Sequence, residues 1–201
     1  MVYQRRMDRV ASRPGLMSLP NVLTYTRILA VPALASCFLL ARSDTGRWVS
    51  LIIFVGACFT DLLDGYLARV WHQQSTLGRM LDPIADKLLV GTAILMLVYD
   101  NTIDNATIWA ALIILCREIL VSGLREFLAE LNVQVHVTQL TKWKTTLQMI
   151  ALAFLIAGPA GDKVLPAVSQ VGTALLWLAA LLTLWTGYDY LKAAIRHAIE
   201  H

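Results

Sequence analysis

Residues 61–86 read DLLDGYLARVWHQQSTLGRMLDPIAD and place four aspartates, Asp61, Asp64, Asp82 and Asp86, between strongly apolar runs. A carboxylate that faces lipid costs about 3 kcal/mol on insertion scales, so four lipid-facing carboxylates are excluded. The aspartates must therefore face a polar cavity, where a positive charge neutralises them. A pair of divalent cations is the simplest such charge, and it indicates phosphate chemistry at a membrane.

The composition is that of an integral membrane protein. Of 201 residues, 57% are hydrophobic and only 15% are charged, whereas soluble domains carry about 25% charged residues. We predict an all-α, polytopic membrane protein in which residues 1–201 form one domain, and we expect no nucleic-acid partner. The three cysteines all lie in apolar runs, and their odd number argues against a disulfide framework.

Six apolar segments are predicted to cross the membrane, since each is close to the roughly 20 residues that a span requires. They are residues 21–41, 48–70, 83–99, 106–129, 143–160 and 167–195. Residues 1–18 are basic and have apolar side chains at helical spacing, which predicts a short helix on the membrane surface. The alternative is a basic leader without regular structure.

Basic residues concentrate on one side of this topology. That side carries Arg5, Arg6, Arg9, Arg13, Arg69, Arg79, Lys142, Lys144, Lys192 and Arg196. The positive-inside rule then places both termini and the four aspartates at the cytoplasmic face. Because no targeting leader is recognisable, we expect a bacterial inner membrane, with an organellar membrane as the alternative.

The spacing of the first two aspartates puts them on one helical face. At about 100° per residue, Asp61, Asp64, Gly65 and Ala68 share that face. The two small residues let a ligand approach the backbone, and Arg69 offers a forked donor suited to phosphate.

The second pair is predicted to begin a new helix. Asp82 is suited to the cap position and Pro83 to the first helical position, with Asp86 one turn further and Gly78 in the preceding loop. Antiparallel packing of the two helices would bring all four carboxylates together around two cations. The alternative is that Asp82 is only a cap and that Asp64 pairs with a nearby arginine.

The pattern Asp-x2-Asp-Gly-x2-Ala-Arg-x8-Gly-x3-Asp-x3-Asp resembles the signature of the CDP-alcohol phosphatidyltransferases, and every position is present. The resemblance implies transfer of a phosphatidyl group from a CDP-activated lipid to an alcohol, with release of CMP. It also implies that the four aspartates bind two Mg²⁺ or Mn²⁺ ions and that Asp86 is the general base. Homodimers are usual in such enzymes, although the sequence shows no dimer motif.

The same resemblance implies a set of residues that contact the CDP moiety. They are Asn21, Thr24, Arg27, Asp64, Gly65, Ala68, Arg69 and Gly78. No histidine or cysteine occupies a motif position, and we expect the nearby His72 to lie solvated in the loop, so we infer a direct in-line displacement at the lipid-side phosphorus rather than a covalent intermediate.

Two further stretches bear on the acceptor. Residues 117–126, REILVSGLRE, and residues 142–146, KWKTT, place cations at helix ends where an anion would bind. They resemble a branch of the family whose acceptor is glycerol 3-phosphate. We therefore expect CDP-diacylglycerol and glycerol 3-phosphate as substrates.

The expected ligands of the acceptor phosphate are Arg117, Arg125, Lys142 and Lys144. The alternatives are that the arginines pair with Glu118 and Glu126, and that the lysines only anchor the helix at the membrane surface.

Two other functions compete with this prediction. A sister enzyme would use another acceptor, such as inositol phosphate or serine. A divalent-cation transporter would also carry intramembrane aspartates, but here the acidic residues cluster at one face and form no ladder across the membrane. Asp189 and Lys192 have no assigned role.

Overall fold

Six α-helices make up the residues that this computed structural model describes, which are 19–41, 43–71, 76–130 and 139–199. The helices are α1 (Leu19–Leu40), α2 (Asp44–Trp71), α3 (Thr76–Tyr99), α4 (Thr107–Glu130), α5 (Gln139–Asp162) and α6 (Val168–Ile199). These residues contain no strand, so the all-α prediction is confirmed. The surface helix predicted within residues 1–18 lies outside the described residues.

Four helices are long and apolar enough to cross a membrane. The spans are Val22–Leu40, Asp44–Leu63, Thr107–Leu128 and Val168–Tyr188. Each of the other two, α3 and α5, has 24 residues, and charged or polar side chains in their first turns lower their hydropathy. Large apolar side chains point away from the bundle, such as Ile52, which is 70% exposed, and Ile119, which is 69% exposed. A surface of this kind is suited to lipid contact, and the chain is a membrane protein.

All six helices contribute to one packed core. Helix α1 packs against α2 and α3, α5 packs against α2 and α6, and α4 packs against α6. Each helix contributes at least one residue to this core that is at most 1% exposed. Examples, in helix order, are Leu34, Phe54, Leu89, Ile114, Leu155 and Leu176. Because lipid is as apolar as these side chains, close van der Waals packing holds the helices together.

Helix α5 is broken at the end of the bundle opposite the aspartates. Gly158 has φ 41° and ψ −129°, and Pro159 follows it. Proline has no N–H, so the carbonyl of Leu155 loses its helical donor. Arg47 of α2 supplies a donor instead, with its Nη1 3.5 Å from that oxygen and 3.3 Å from the Ile156 oxygen.

The same arginine connects this break to the end of α3. Arg47 forms an ion pair with Asp100, and its Nη2 donates a 2.8 Å hydrogen bond to Thr102 Oγ1. A second ion pair, between Lys163 and Asp44, ties the start of α2 to the segment after α5. The start of α2 and the ends of α3 and α5 therefore meet at one end of the bundle.

Helix α3 corrects one prediction. It begins at Thr76 rather than at Asp82, so Pro83 lies inside the helix and Gly78 is a buried helical residue instead of a loop residue. The carboxylate of Asp82 accepts a hydrogen bond from Thr24 of α1 rather than from its own backbone. Contacts of this kind between helices offset the single backbone hydrogen bond that Pro83 removes.

Candidate active site

Three of the predicted aspartates converge on one buried arginine. The Arg27 side chain is fully buried, and its Nη2 lies 3.0 Å from Asp61 Oδ1. Its Nη1 lies 2.9 Å from Asp86 Oδ1 and 3.8 Å from Asp82 Oδ1. The carboxylates themselves are 41–43% exposed, so they are open to a ligand on the side away from the arginine.

Helical spacing explains why these groups meet. Asp82 and Asp86 are four residues apart on α3, and Thr24 and Arg27 are three apart on α1, so each pair shares a face. The Thr24 hydroxyl donates a 2.6 Å hydrogen bond to Asp82 Oδ1. Asp61 lies on α2, ten residues before the last residue of that helix, Trp71. The contacts between α1 and its two neighbours thus bring Asp61 together with Asp82 and Asp86, which follow it by 21 and 25 residues in the sequence.

A cavity of about 240 Å³ opens beside this cluster. Arg27, Asp61 and Asp86 form its charged wall. The rest is lined by Ala57, Cys58, Leu62, Leu89, Thr145, Thr146, Met149 and Ile150. A pocket with one charged wall and a largely apolar remainder is suited to a molecule that has a charged head and an apolar body.

The described side chains do not by themselves form a metal centre. Among them, no three acidic, histidine or cysteine side chains are close enough together to hold one ion. Asp64 lies on α2, but its side chain is outside the described part. The carboxylate oxygens of Asp61, Asp82 and Asp86 are of the kind that hard divalent cations prefer as ligands. In this structure the three carboxylates share one cationic neighbour, the guanidinium of Arg27.

A second charged cluster joins α4, α5 and α6. Lys144 pairs with Glu118, and Arg117 Nη1 lies 3.3 Å from the same carboxylate oxygen, Glu118 Oε1. Arg117 Nη2 also donates a 3.0 Å hydrogen bond to Thr186 Oγ1. Pairing of Arg117 with Glu118, an alternative raised by the sequence, is therefore present in the structure, and Lys144 shares this partner.

The remaining predicted site residues are less fully described. Arg125 is exposed on α4. The side chains of Asn21, Ala68, Arg69 and Lys142 and the surroundings of Gly65 lie outside the described part, although their helices are described. Sequence reasoning missed Thr186 and the neighbouring Gly187, because an isolated Thr-Gly pair in an apolar helix carries no signal of its own.

Comparison with known proteins identifies the family. A model of the CDP-alcohol phosphatidyltransferase family matches residues 17–185. A CDP-diacylglycerol–glycerol-3-phosphate 3-phosphatidyltransferase of Rickettsia bellii is 46% identical over 180 residues, which cover 90% of this chain and 97% of the relative.

Relatives with the same name occur in other bacteria. The protein of Salmonella choleraesuis is 41% identical, over 88% of this chain and 94% of the relative. The protein of Cereibacter sphaeroides is 38% identical, over 89% of this chain and 96% of the relative. With the convergent aspartates, these matches show that the chain belongs to the CDP-alcohol phosphatidyltransferase family.

Proposed function

We propose that this chain transfers a phosphatidyl group from CDP-diacylglycerol to glycerol 3-phosphate, giving phosphatidylglycerophosphate and CMP. The relatives are named for this reaction. The observation that carries the proposal is the convergence of Asp61, Asp82 and Asp86 beside a cavity that is charged on one wall and apolar elsewhere. CDP-diacylglycerol combines a diphosphate head with apolar chains, which is the chemistry that such a cavity accommodates.

Members of the family generally use divalent metal ions. In this chain Asp61, Asp64, Asp82 and Asp86 would hold two Mg²⁺ or Mn²⁺ ions. When bound, such ions offset negative charge on phosphate oxygens and orient the reacting groups. The donor chemistry supports this assignment, because carboxylate oxygens are the ligands that these hard cations prefer.

The donor nucleotide is proposed to lie against the starts of α1 and α3 and the end of α2. Its proposed contacts are Asn21, Thr24, Arg27, Asp64, Gly65, Ala68, Arg69 and Gly78. Two of these, Thr24 and Arg27, touch the aspartates directly, so the position of the nucleotide and the position of the carboxylates are linked through α1.

We assign Asp86 as the general base. Its carboxylate lines the cavity and is 41% exposed, so it can accept the proton of an acceptor hydroxyl. The acceptor oxygen attacks the lipid-side phosphorus, the bond from that phosphorus to the bridging oxygen breaks, and CMP leaves. The step is a direct displacement and needs no covalent enzyme intermediate.

The acceptor phosphate is proposed to bind to the cations Arg117, Arg125, Lys142 and Lys144. Lys144 directly precedes Thr145 and Thr146, which line the same cavity as Asp61 and Asp86. A phosphate held at the start of α5 would also interact favourably with the helix N-terminus. This arrangement favours a phosphorylated alcohol over an uncharged one.

We also propose a membrane topology that goes beyond the four apolar helices. All six helices would span a bacterial inner membrane as one domain, residues 1–201, with both termini and the aspartates at the cytoplasmic face. Residues 1–18 would lie on the membrane surface. The ion pairs Arg47–Asp100 and Lys163–Asp44 support this, because they gather the helix ends that the charge pattern assigns to the opposite face. The active form is proposed to be a homodimer.

The experiment that tests the function is release of CMP from CDP-diacylglycerol by the purified protein in lipid. We expect release that requires both Mg²⁺ and glycerol 3-phosphate. Release only with serine or inositol phosphate would overturn the acceptor and keep the aspartate roles. Absence of release with every alcohol would overturn the proposed function.

A further inference from the structure

We propose that Glu118 is a positioning residue for the acceptor phosphate, which it serves by holding Lys144 and Arg117 in place. The inference rests on the proposed function and extends it to a side chain that would not itself bind the anion. An acidic residue in the middle of an anion site is otherwise unfavourable, since it repels the ligand.

The contacts make Glu118 the common partner of the two cations. Its Oε1 accepts a hydrogen bond from Lys144 Nζ and lies 3.3 Å from Arg117 Nη1. The Lys144 side chain is 2% exposed and the Arg117 side chain 8%, whereas the Glu118 side chain is 24% exposed. A buried cation without a counter-charge is strongly unfavourable, so this carboxylate fixes where both cations can reside.

The charge balance leaves the cluster suited to an anion. Among Lys144, Arg117 and Glu118, two cations and one carboxylate give a net charge of +1, which favours an incoming phosphate. Before the phosphate arrives, neither cation lacks a counter-charge. Glu118 thus allows Lys144 and Arg117 to remain buried and oriented ahead of binding, which reduces the ordering cost at the moment of binding.

Arg117 is itself anchored on α6. Its Nη2 donates a 3.0 Å hydrogen bond to Thr186 Oγ1. A Cβ atom at Gly187 would lie 3.2 Å from Arg117 Cγ, so the glycine makes room for the stem of the arginine. The contacts therefore run from Thr186 on α6, through Arg117 and Glu118, to Lys144, which directly precedes the cavity-lining Thr145.

Under the proposed function the orientation of Lys144 matters, because Lys144 directly precedes residues of the cavity. The next two residues, Thr145 and Thr146, line the cavity together with Asp61 and Asp86. A shift of the Lys144 ammonium group would move the acceptor phosphate, and with it the hydroxyl that must meet the phosphorus. Misplacement of about 1 Å is enough to slow such a reaction substantially.

The test is steady-state kinetics of Glu118→Gln with both substrates varied. The amide keeps the shape and removes the charge. We expect the KM for glycerol 3-phosphate to rise about tenfold, as for the loss of one charge-assisted hydrogen bond, and the KM for CDP-diacylglycerol to stay within about twofold. Asp104→Asn, an exposed acidic position in the α3–α4 connection, is the matched control and should change neither constant.

A double-mutant cycle with Lys144→Gln separates positioning from a general structural role. If Glu118 acts through these cations, then Glu118→Gln should raise the acceptor KM by a smaller factor in the Lys144→Gln background than in the wild type, and the remaining effect is the part that acts through Arg117. Multiplicative effects would overturn the proposal. So would an unchanged or lower acceptor KM in Glu118→Gln, because a lower value means that the carboxylate competes with the phosphate.

A conservative variant keeps the proposal testable if Glu118→Gln does not fold. Glu118→Asp retains the charge on a shorter side chain, and we expect an acceptor KM between those of the wild type and Lys144→Gln. A wild-type acceptor KM in Glu118→Asp, with stable protein, would count against a positional requirement. The wild-type protein is assayed with glycerol 3-phosphate in parallel. If the wild type is inactive, the proposed function fails; if only the expected changes in the variants are missing, the role of Glu118 fails.

Discussion

The Thr24 hydroxyl donates a 2.6 Å hydrogen bond to Asp82, a residue 58 positions later in the chain. This bond joins α1 to α3 at the place where the aspartates converge, and Thr24 is only 2% exposed. It restrains Asp82 without contributing charge of its own. The first helix is therefore part of the candidate active site that we propose, and not only a membrane span.

Replacing Thr24 by valine should lower activity while the fold is retained. Valine keeps the shape of the side chain but removes the donor to Asp82, and a hydrogen bond to a charged group contributes about 2 kcal/mol, so we expect kcat/KM to fall about tenfold or more. The control is Thr26→Val, because the Thr26 hydroxyl donates only to the Leu23 carbonyl of its own helix. Equal activity of the two variants would show that the contact with Asp82 is not used in catalysis.

Asp61→Asn should abolish transfer. The amide removes the charge proposed to bind metal and retains the shape, so we expect kcat to fall on the order of a thousandfold. Circular dichroism and elution from a sizing column should match the wild type. The measurement is CMP release over a range of Mg²⁺ concentrations. Activity within tenfold of the wild type at every concentration would contradict a metal role for this aspartate.

Arg125→Ala should affect the acceptor more than the donor. The exposed guanidinium on α4 is proposed to bind the acceptor phosphate, and loss of one charge-assisted contact should raise the KM for glycerol 3-phosphate about tenfold. The KM for CDP-diacylglycerol should remain nearly unchanged. A larger change in the donor KM would instead assign Arg125 to the nucleotide. Lys192→Ala, an exposed basic position on α6, is the control for a general loss of positive charge.

Gly158→Ala should destabilise the protein without altering the chemistry. The positive φ of 41° is unfavourable for alanine, and its Cβ would lie 2.5 Å from Arg47 Nη1. We expect the free energy of unfolding to fall by about 2 kcal/mol. In mild detergent this would appear as a lower Tm, with kcat per folded molecule unchanged.

Gly56→Ala provides the matched control for that prediction. A Cβ at Gly56 has no neighbour within 4 Å among the described residues, and the residue is helical. The substitution should therefore raise stability slightly, by about 0.5–1 kcal/mol, as in an ordinary helix. Equal losses of Tm in the two variants would show that the break in α5 is not a point of special strain.

Local sequence predicted the helices better than it predicted their starts. Apolar runs close to 20 residues long identified six helical segments. At Asp82-Pro83, however, a pattern typical of a helix start lies in the interior of α3. Local propensity favours the cap, whereas the contacts of Asp82 and Asp86 with α1 favour the continuous helix. Such contacts between helices cannot be read from spacing along one segment.

The sequence by itself determined that this chain is a helical membrane protein of a phosphatidyltransferase family, since apolar length and the spacing of the aspartates are properties of the linear chain. Only the tertiary structure decided which groups meet. It placed Arg27 among three aspartates, gave Lys144 and Arg117 the same partner in Glu118, and set Arg47 against the break at Gly158. The physical reason is that buried charges and unpaired backbone groups take their partners from whichever helix packs against them.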